Sequence, residues 1–489
     1  MRWRDFDNLA LLPDNFFQTP RRVHFIGIGG IGMSALALLL KARGHEVSGS
    51  DACASAMLTK LQTAGIKTIV GHYAGYLVTE GAPVEAVFFS SAVTEDNAER
   101  AAAVAQGIPQ WHRAQLLAYF VNNAAYSIAV SGTHGKSTTS AMIAHILTQL
   151  GRNPTAILGA IYPPFDSNLR VGDPGLVVVE ADESDGSFTL LKPTVSVVLN
   201  VEAEHLENYE DSEAELWRAF EMFMDQTRQI AVLNLEDVEM WERLSARRRE
   251  DLIVANYRTG LGGNLAASAI ESRAGKTHYD LFYNRDWVGT FNLGVPGRHN
   301  VSNGLAAMSA ACIQFQLAPE AFVHSVTSAA TALQDFHGVA RRFQLCGEAN
   351  QVVVYDDYAH HPTEVGSTLQ MAHEFLGRPL VVIFQPHRYS RTQQLGQEFG
   401  PSFAAADRII ITQLYSAFET PIEGVSGRIV FDAVRQSFPD KPIYYVETLE
   451  EARRLAGDLA RPGDAMITMG AGDISRLPAL LLQDLQHAQ

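Results

Sequence analysis

A glycine-rich segment near residue 135 carries the strongest chemical signal in the sequence. Its residues are Gly132, Thr133, His134, Gly135, Lys136, Ser137 and Thr138. In phosphate-binding loops the backbone N–H groups surround phosphate oxygens, the lysine supplies a cation, and the next hydroxyl reaches Mg²⁺. The common form has one further glycine, at the position that Val130 occupies here. An apolar run before the segment and a helical pattern after it nevertheless favour an ATP-binding loop over an ordinary glycine-rich turn.

Acidic residues follow two further apolar runs. Glu180 begins the string EADESD after Leu176 to Val179, and His205 ends the string EAEH after Val195 to Leu199. Parallel strands end at one edge of a sheet, so these groups are expected near the phosphate loop, where they could hold Mg²⁺. The alternative for such a cluster is a solvated acidic loop, and for the histidine a core position.

A second nucleotide pattern lies near the N-terminus. Gly27, Gly29 and Gly32 form G-x-G-x-x-G between an apolar run and a helical stretch, and Asp51 follows 19 residues after the last glycine. In dinucleotide folds such glycines admit a pyrophosphate to the helix N-terminus, and the acid binds a ribose. The pattern alone is weak, because a tight strand-to-helix turn needs similar glycines. It leaves a nicotinamide cofactor open.

Two strings rich in histidine, tyrosine and arginine follow apolar runs in the last third of the chain. DDYAHHP contains Asp357, Tyr358 and His360, and QPHRYSRT contains Arg388 and Arg391. Histidine, tyrosine and arginine side chains suit the binding of a carboxylate or phosphate. The adjacent histidines could instead indicate a metal site, although neighbours on a loop rarely bind one ion. Arg342 lies near a presumed hinge, where it could also be part of a surface basic pair.

Alternating strand and helix patterns must position these groups. Strands are expected at Val23 to Ile28, Tyr126 to Val130, Leu380 to Phe384 and Ala465 to Met469, with helices between strands, which predicts parallel sheets. Residues 277–295 alternate in polarity and predict a β-rich insert. The predicted fold class is α/β in three domains, residues 1–125, 126–340 and 341–489.

Composition limits the classes of protein. The chain has 489 residues, 47% of them apolar, and a net charge of −16, which argues against sequence-independent nucleic-acid binding. Its three cysteines are far apart in the sequence and predict a cytoplasmic location rather than a disulfide framework. The apolar stretches are too short to cross a membrane, and the N-terminus does not resemble a signal peptide.

These segments together resemble the muramyl-peptide (Mur) ligase family. The matching strings include HFIGIGGIGMS, GTHGKSTTS, EADESDGSF, NVEAEHLENY, PGRHNVSNGLAA, DDYAHHPTEV and FQPHRYSRT, in order along nearly the whole chain. The resemblance implies an N-terminal Rossmann-like domain for a UDP-sugar, a central P-loop ATPase domain, and a C-terminal Rossmann-like domain for the amino acid. It implies ATP-dependent ligation of L-alanine to UDP-N-acetylmuramate through an acyl phosphate and a tetrahedral intermediate, in peptidoglycan precursor synthesis.

The resemblance also implies roles for individual residues. Lys136, Glu180, His205, Arg342 and His360 would be catalytic. The ATP site would comprise the phosphate loop from Gly132 to Thr138 with Asn303, Arg342 and Asp357. The UDP-sugar site would comprise Gly27, Gly29, Gly30, Gly32, Asp51, Ser90, Ser91 and Arg113. Tyr358, His360, Arg388 and Arg391 would bind L-alanine, and Ser137, Glu180 and His205 would bind Mg²⁺. A monomer or a homodimer is expected.

Three positions depart from the family pattern, and several functions stay open. Glu204 stands where aspartate is usual, Gln413 where an acid is usual and Phe418 where glycine is usual. We interpret them as tolerated drift; altered amino-acid preference or weak activity is the alternative. A murein-peptide-recycling ligase that adds a tripeptide ranks second, because QPHRYSRT is the L-alanine type. A nucleotide-binding scaffold without turnover and an NAD-dependent dehydrogenase rank lower, since the dehydrogenase would leave GTHGKS unused.

Overall fold

The computed structural model describes residues 3–6, 9–79, 82–247, 249–273, 276–313, 319–417 and 419–487. The chain forms two compact units. The first contains residues 1–270, 278–293 and 298–336, and the second contains residues 271–277, 294–297 and 337–489. In the described part of the chain, every helix is too short or too polar to cross a lipid bilayer.

The first sheet of unit 1 has five parallel strands in the order β3-β2-β1-β6-β7. Its strands are β1 (Arg22–Ile26), β2 (Glu46–Asp51), β3 (Lys67–Val70), β6 (Ala86–Phe89) and β7 (Gln110–His112), beside a small pair, β4 (Val78–Thr79) and β5 (Ala82–Pro83). Its helices are α1 (Ile31–Ala42), α2 (Ala56–Thr63), α3 (Ala98–Ala105) and α4 (Arg113–Asn123). The predicted first strand ends at Ile26 because Gly27 turns the chain with φ +79°, and Gly27 and Ile28 both donate to the Ser50 carbonyl.

The second sheet has ten strands in the order β10-β9-β11-β8-β12-β13-β14-β15-β16-β17. They are β8 (Tyr126–Ser131), β9 (Pro154–Tyr162), β10 (Ser167–Arg170), β11 (Asp173–Glu180), β12 (Val195–Val198), β13 (Ile230–Asn234), β14 (Ile253–Thr259), β15 (Leu265–Arg273), β16 (Lys276–Tyr283) and β17 (Asp286–Leu293). The associated helices are α5 (Lys136–Gln149), α6 (Glu213–Gln226), α7 (Val238–Ser245), α8 (Arg298–Ile313) and α9 (Pro319–Ala332). The run from β9 to β15 is parallel, and β16 and β17 are the predicted β-rich insert.

The sheet of unit 2 has six strands in the order β18-β19-β23-β20-β21-β22. They are β18 (Gln344–Ala349), β19 (Val352–Asp357), β20 (Leu380–Phe384), β21 (Arg408–Thr412), β22 (Ile443–Val446) and β23 (Ala465–Met469). Its helices are α10 (Pro362–Leu376), α11 (Tyr389–Leu395), α12 (Arg428–Ser437), α13 (Leu449–Leu459) and α14 (Leu477–His487). The strands predicted at Leu380–Phe384 and Ala465–Met469 are confirmed, and both are fully buried because helices cover the sheet.

Sheet order determines which loops meet. Strands β11, β8 and β12 are neighbours, so the loops at their carboxyl ends, after Glu180, Ser131 and Val198, lie side by side. In unit 2, β19 and β20 flank β23, and the loops after β19 and β20 carry the histidines and arginines. In both of these sheets, chemistry-bearing residues therefore lie in loops at the carboxyl ends of parallel strands.

Candidate active site

The phosphate loop connects β8 to α5, and both of its glycines are required by geometry. Gly132 has φ +128° and Gly135 has φ +86°, values that favour glycine. A methyl group on Gly132 would lie 2.9 Å from the Asn200 carbonyl oxygen, and one on Gly135 would lie 2.6 Å from Oδ1 of Asn303. Larger residues at either position would push the loop away from β12 or α8.

Asn200, in the segment that follows β12, forms hydrogen bonds to the backbone of the phosphate loop. Its Oδ1 accepts from the N–H of His134 at 2.8 Å, and its Nδ2 donates to the His134 carbonyl at 3.2 Å. The N–H of Thr133 donates to the Asn200 carbonyl at 3.1 Å. Asn200 was not among the predicted site residues; its place directly after an apolar strand was the signal in the sequence.

Lys136 is buried inside this loop. Its Nζ donates to the carbonyls of Gly132 at 2.8 Å and Thr133 at 3.0 Å, and lies 2.7 Å from Oε2 of Glu183. Burial opposes the lysine charge, but Glu183 and neighbouring carboxylates outweigh burial and raise the lysine pKa. Burial raises the pKa of Glu183 to about 7, although Lys136 opposes that shift. Lys136 is therefore positively charged. Glu183 is a further site residue, and it belongs to the acidic string EADESD singled out in the sequence.

Ser137 and Thr138 lie in the first turn of α5, and both residues are buried. They directly follow Lys136, where a phosphate loop carries its metal-binding hydroxyl. Asn303, predicted to contact adenine, lies on α8, where its Nδ2 donates to Oδ1 of Asn300 at 3.2 Å. Its Oδ1 lies beside Gly135, so the structure brings this residue to the phosphate loop.

Glu180 is held by a contact with the neighbouring strand. Its Oε2 accepts from the N–H of Gly159 on β9 at 3.1 Å. A methyl group on Gly159 would lie 2.2 Å from both carboxylate oxygens. The carboxylate therefore packs directly against the strand backbone, and only a glycine at position 159 permits this.

His205 and a separate group of ligand atoms lie near the loop. His205 has φ +56°, and its Nδ1 lies 3.7 Å from Oε1 of Glu207. Burial opposes the charge of His205, but Glu207 and other acids outweigh burial and raise its pKa. Among the described residues, one ligand atom each from His134, Glu202 and Glu204 lies within 4.8 Å of the others. Carboxylate oxygens are the donors that Mg²⁺ prefers, so Glu180, Glu202 and Glu204 fit that ion.

A backbone amide of the N-terminal glycine loop binds Asp51, the acid predicted to belong to the same site. The N–H of Gly29 donates to Oδ2 of Asp51 at 2.8 Å, so the carboxylate caps the loop itself. Gly30 is the residue before the first turn of α1 and makes no side-chain cap. Oγ of Ser90 would lie 3.0 Å from a methyl group on Gly27, and Nη1 of Arg113 would lie 3.8 Å from one on Gly32.

Ser91 and Arg113 meet at a residue of the EADESD loop. Oδ2 of Asp185 accepts from Oγ of Ser91 at 2.9 Å and from Nη2 of Arg113 at 2.8 Å. The predicted UDP-sugar residues of the first sheet are thus joined to the loop after β11. Asp185 was not among the predicted site residues; its presence in the acidic string was the only signal.

In unit 2, backbone N–H groups just before β18 and just after β19 hold Asp357. Its carboxylate accepts from the N–H of Phe343 at 2.6 Å and of Ala359 at 2.8 Å. Burial raises the pKa of Asp357 to about 6, although Arg342 opposes that shift. The guanidinium of Arg342 lies 5.4 Å from the ring centre of Tyr358, which is a cation–π contact. The structure therefore brings these three predicted residues together.

Two histidine rings lie next to one another in unit 2. Nδ1 of His360 donates to the Tyr358 carbonyl at 2.9 Å, and its ring centre is 5.7 Å from that of His387. The rings of His387 and Tyr415 are stacked, with 5.7 Å between their centres and 11° between their planes. Burial is the main cause that lowers the pKa of His360 to about 4, against the charge of Glu364, and the pKa of His387 to about 3. Both rings are therefore neutral at pH 7, and His387 extends the predicted set.

The two predicted arginines have different surroundings. Arg388 is half-exposed, and its Nη1 lies 3.9 Å from Oε1 of Glu419. The charge of Arg391 contributes to the lowered pKa of both His360 and His387. Of the two predicted arginines, Arg391 is the one whose charge acts on both histidines, whereas Arg388 acts on His387.

Gln413, one of the three departures, has a structural role. Its Oε1 accepts from the N–H of Leu414 and of Gly427, both at 2.9 Å. A carboxylate oxygen could accept the same two bonds, so an amide there preserves the local backbone. Phe418 lies outside the described residues.

Comparison with known proteins identifies three family segments. Residues 22–124 match the model described as "Mur ligase family, catalytic domain", and residues 130–311 match "Mur ligase middle domain". Residues 341–472 match "Mur ligase, glutamate ligase domain". The predicted α/β fold class with three domains is confirmed by these matches and by the sheets.

Relatives match along nearly the whole chain. UDP-N-acetylmuramate–L-alanine ligase of Desulforamulus reducens is 38% identical over 96% of this chain and 98% of its own. The enzyme of that name from Symbiobacterium thermophilum is 41% identical over 95% of each chain. The crystal structure of UDP-N-acetylmuramate-alanine ligase from Thermotoga maritima has a TM-score of 0.79 at 29% identity, covering 96% of this chain and 100% of that one. The chain therefore belongs to the Mur ligase family.

Proposed function

We propose that the protein catalyses the ATP-dependent ligation of L-alanine to the carboxylate of UDP-N-acetylmuramate, giving ADP and phosphate, in peptidoglycan precursor synthesis. The observation that carries the proposal is full-length similarity to relatives named for this reaction, at 38% and 41% identity. The buried lysine of the phosphate loop supports the ATP-dependent step, since it provides a cation where a triphosphate would bind.

The chemistry follows from the poor reactivity of a carboxylate toward an amine. The carboxylate oxygen of UDP-N-acetylmuramate takes the γ-phosphoryl group of ATP, and ADP leaves. The amine of L-alanine then attacks the acyl phosphate, and the tetrahedral intermediate loses phosphate and a proton to give the amide. No covalent enzyme intermediate is required, so positioning and charge stabilisation account for catalysis. Lys136 would stabilise the negative charge on the transferring phosphoryl group.

Mg²⁺ is proposed as the cofactor. Ser137, Glu180 and His205 are the residues that we propose as ligands, and Glu202 and Glu204 offer further carboxylates nearby. When bound, the ion would neutralise charge on the phosphate oxygens of ATP. The Glu180 carboxylate suits this role because its hydrogen bond from the N–H of Gly159 already holds it in one position.

We propose different groups of residues for the UDP-sugar and for L-alanine. We propose that the N-terminal glycine loop with Ser90, Ser91 and Arg113 binds the diphosphate of the UDP-sugar, and that no nicotinamide is involved. Tyr358, His360, Arg388 and Arg391 of unit 2 would bind L-alanine. Arg391 is proposed to hold the carboxylate of the amino acid, because a guanidinium forms a two-pronged contact with a carboxylate. Asn303, Arg342 and Asp357 remain proposed ATP contacts.

Phosphate release tests the proposal. The purified protein should release phosphate from ATP only when UDP-N-acetylmuramate and L-alanine are both present. Glycine, L-serine and the tripeptide L-alanyl-γ-D-glutamyl-meso-diaminopimelate should be compared at equal concentrations. A preference for the tripeptide would favour the recycling reaction, and ATP binding without phosphate release would favour a scaffold. Either result would contradict the proposed function. A cytoplasmic location stays a prediction.

A further inference from the structure

The guanidinium of Arg113 faces two places at once. Arg113 is the first residue of α4, and its Nη1 would lie 3.8 Å from a methyl group on Gly32 in the N-terminal glycine loop. Its Nη2 donates to Oδ2 of Asp185 at 2.8 Å. One edge of the guanidinium is therefore directed at the glycine loop, and another is bound to a carboxylate from the loop after β11.

Asp185 is itself held in one orientation. Its Oδ1 accepts from the N–H of Ser187 at 3.0 Å, so Oδ2 is left for Arg113 and Ser91. Its side chain is only 14% exposed. Burial opposes the charge of Asp185, but Arg113 and Ser187 outweigh burial and lower its pKa. An ionised, immobilised carboxylate thus receives the arginine.

A buried histidine completes the chain of hydrogen bonds. The N–H of Ala114 donates to Nδ1 of His112 at 3.3 Å, so the ring proton is on Nε2. Nε2 then donates to Oγ of Ser91 at 3.0 Å, and the Ser91 hydroxyl donates to Asp185 at 2.9 Å. His112 and Ser91 each accept one hydrogen bond and donate the next, so all the hydrogen bonds run in one direction toward Asp185.

We propose that Asp185 is a positioning residue that holds Arg113 toward the glycine loop and so sets the affinity for the diphosphate of UDP-N-acetylmuramate. The inference rests on the proposed function and adds to it. A long arginine side chain loses conformational freedom when it binds an anion, and Asp185 removes that freedom before the substrate arrives. The loop after β11 then serves both nucleotides, because Glu183 contacts Lys136 and Asp185 contacts Arg113.

Electrostatic repulsion by Asp185, acting alone, would lower the affinity for the diphosphate instead of raising it. A carboxylate close to a diphosphate repels it, so a neutral residue at position 185 should strengthen substrate binding if repulsion dominates. If positioning dominates, the same substitution should weaken binding, because Arg113 becomes free to turn away from the glycine loop. The direction of the change therefore distinguishes the two effects.

The test is a double-mutant cycle on binding. The dissociation constant of UDP-N-acetylmuramate is measured by titration calorimetry for wild type, Asp185→Asn, Arg113→Ala and the double variant. Asp185→Asn should weaken binding on the order of 10-fold, as expected for loss of a charge-assisted contact. In the Arg113→Ala background it should cause no further loss, because Asp185 acts through that arginine. The KM for ATP should stay within twofold of wild type, about the noise of such comparisons.

Asp166→Asn is the matched control. Asp166 is a fully exposed acid paired with Lys60, and its φ of +47° is one that asparagine tolerates. This variant should bind the UDP-sugar as wild type does. If Asp185→Asn does not fold, Asp185→Glu replaces it, since the added methylene moves the charge and should weaken binding too.

Three binding results would each overturn the inference. They are tighter binding by Asp185→Asn, unchanged binding by that variant, and a further loss in the Arg113→Ala background equal to that in wild type. An equal rise in the KM for ATP would indicate a general structural role and would also overturn it. Failure of the wild-type protein to bind UDP-N-acetylmuramate would instead contradict the proposed function.

Discussion

Gly159→Ala is the most direct test of the proposed role of Glu180, because it adds one methyl group beside that carboxylate. The new methyl would lie 2.2 Å from both carboxylate oxygens, a distance at which one group must move. The methyl is fixed on β9, whereas the Glu180 carboxylate is the end of a flexible side chain. The carboxylate should therefore shift by more than about 1 Å, because an ordinary contact distance is about 3.5 Å.

Activity and stability should respond differently. A displacement of about 1 Å in a catalytic group can cost about 100-fold in rate, so turnover should fall to roughly that extent. The bond from the N–H of Gly159, 3.1 Å long, would also be lost. Losing it costs about 1.5–3 kcal/mol, while replacing glycine by alanine returns about 0.4–1 kcal/mol through the unfolded chain. The free energy of unfolding should thus fall by only about 1–2 kcal/mol.

The assay is phosphate release at several Mg²⁺ concentrations, with unfolding by urea measured in parallel. Gly75→Ala is the control, because a methyl group on Gly75 would meet no atom within 4 Å. That variant should keep wild-type turnover. If Gly159→Ala folds and keeps both its turnover and its Mg²⁺ dependence, then the position of Glu180 does not matter to the reaction, and the proposed metal role is wrong.

Three further predictions concern the remaining site residues. Lys136→Ala should abolish phosphate release while the protein still folds, because it removes the cation that we propose to face the transferred phosphoryl group; a variant that keeps most of its activity would show that Lys136 has no such role. Arg391→Lys should raise the KM for L-alanine on the order of 10- to 150-fold and the KM for ATP far less, because lysine cannot copy the two-pronged contact. Alaninamide should distinguish little between wild type and this variant, and equal losses for both ligands would contradict the assignment. Below pH 6.5 the protein should lose stability, because His360 (pKa about 4) and His387 (pKa about 3) stay neutral in the fold while the unfolded chain takes up protons. Each histidine should then cost about 1.4 kcal/mol per pH unit, to be measured by urea unfolding from pH 7.5 to 5, and His387→Asn should flatten the dependence; an unchanged slope would show that the ring is not buried in a neutral state.

The departures from the family pattern bear on these tests. The amide of Gln413 accepts the two backbone bonds that hold its loop, so this position gives no structural reason for weak activity. Glu204 keeps a carboxylate within reach of His134, with 3.7 Å between Oε1 and Nε2. Both observations agree with tolerated drift, which the phosphate-release assay will decide directly.

Local features of the chain could be predicted because they depend on residues adjacent in sequence. The strand Leu380–Phe384 is a run of five apolar residues, and a strand buried on both faces needs such a run. The phosphate loop is equally local, since its glycines, lysine and hydroxyls act within one turn of backbone. Family membership followed from the same kind of information, because whole strings of residues match in order.

Other features were decided only by the order of strands in the sheets. Asn200 holds His134 across 66 residues because β12 pairs with β8, and Gly159 meets Glu180 because β9 pairs with β11. Asp185 reaches Arg113 across 72 residues, between two different sheets. Periodicity predicts where a strand lies but not which strand becomes its neighbour, since pairing depends on burial summed over the whole domain. The sequence by itself therefore determined the elements and the motifs, whereas tertiary structure decided which side chains hold the lysine, the carboxylate and the arginine in place.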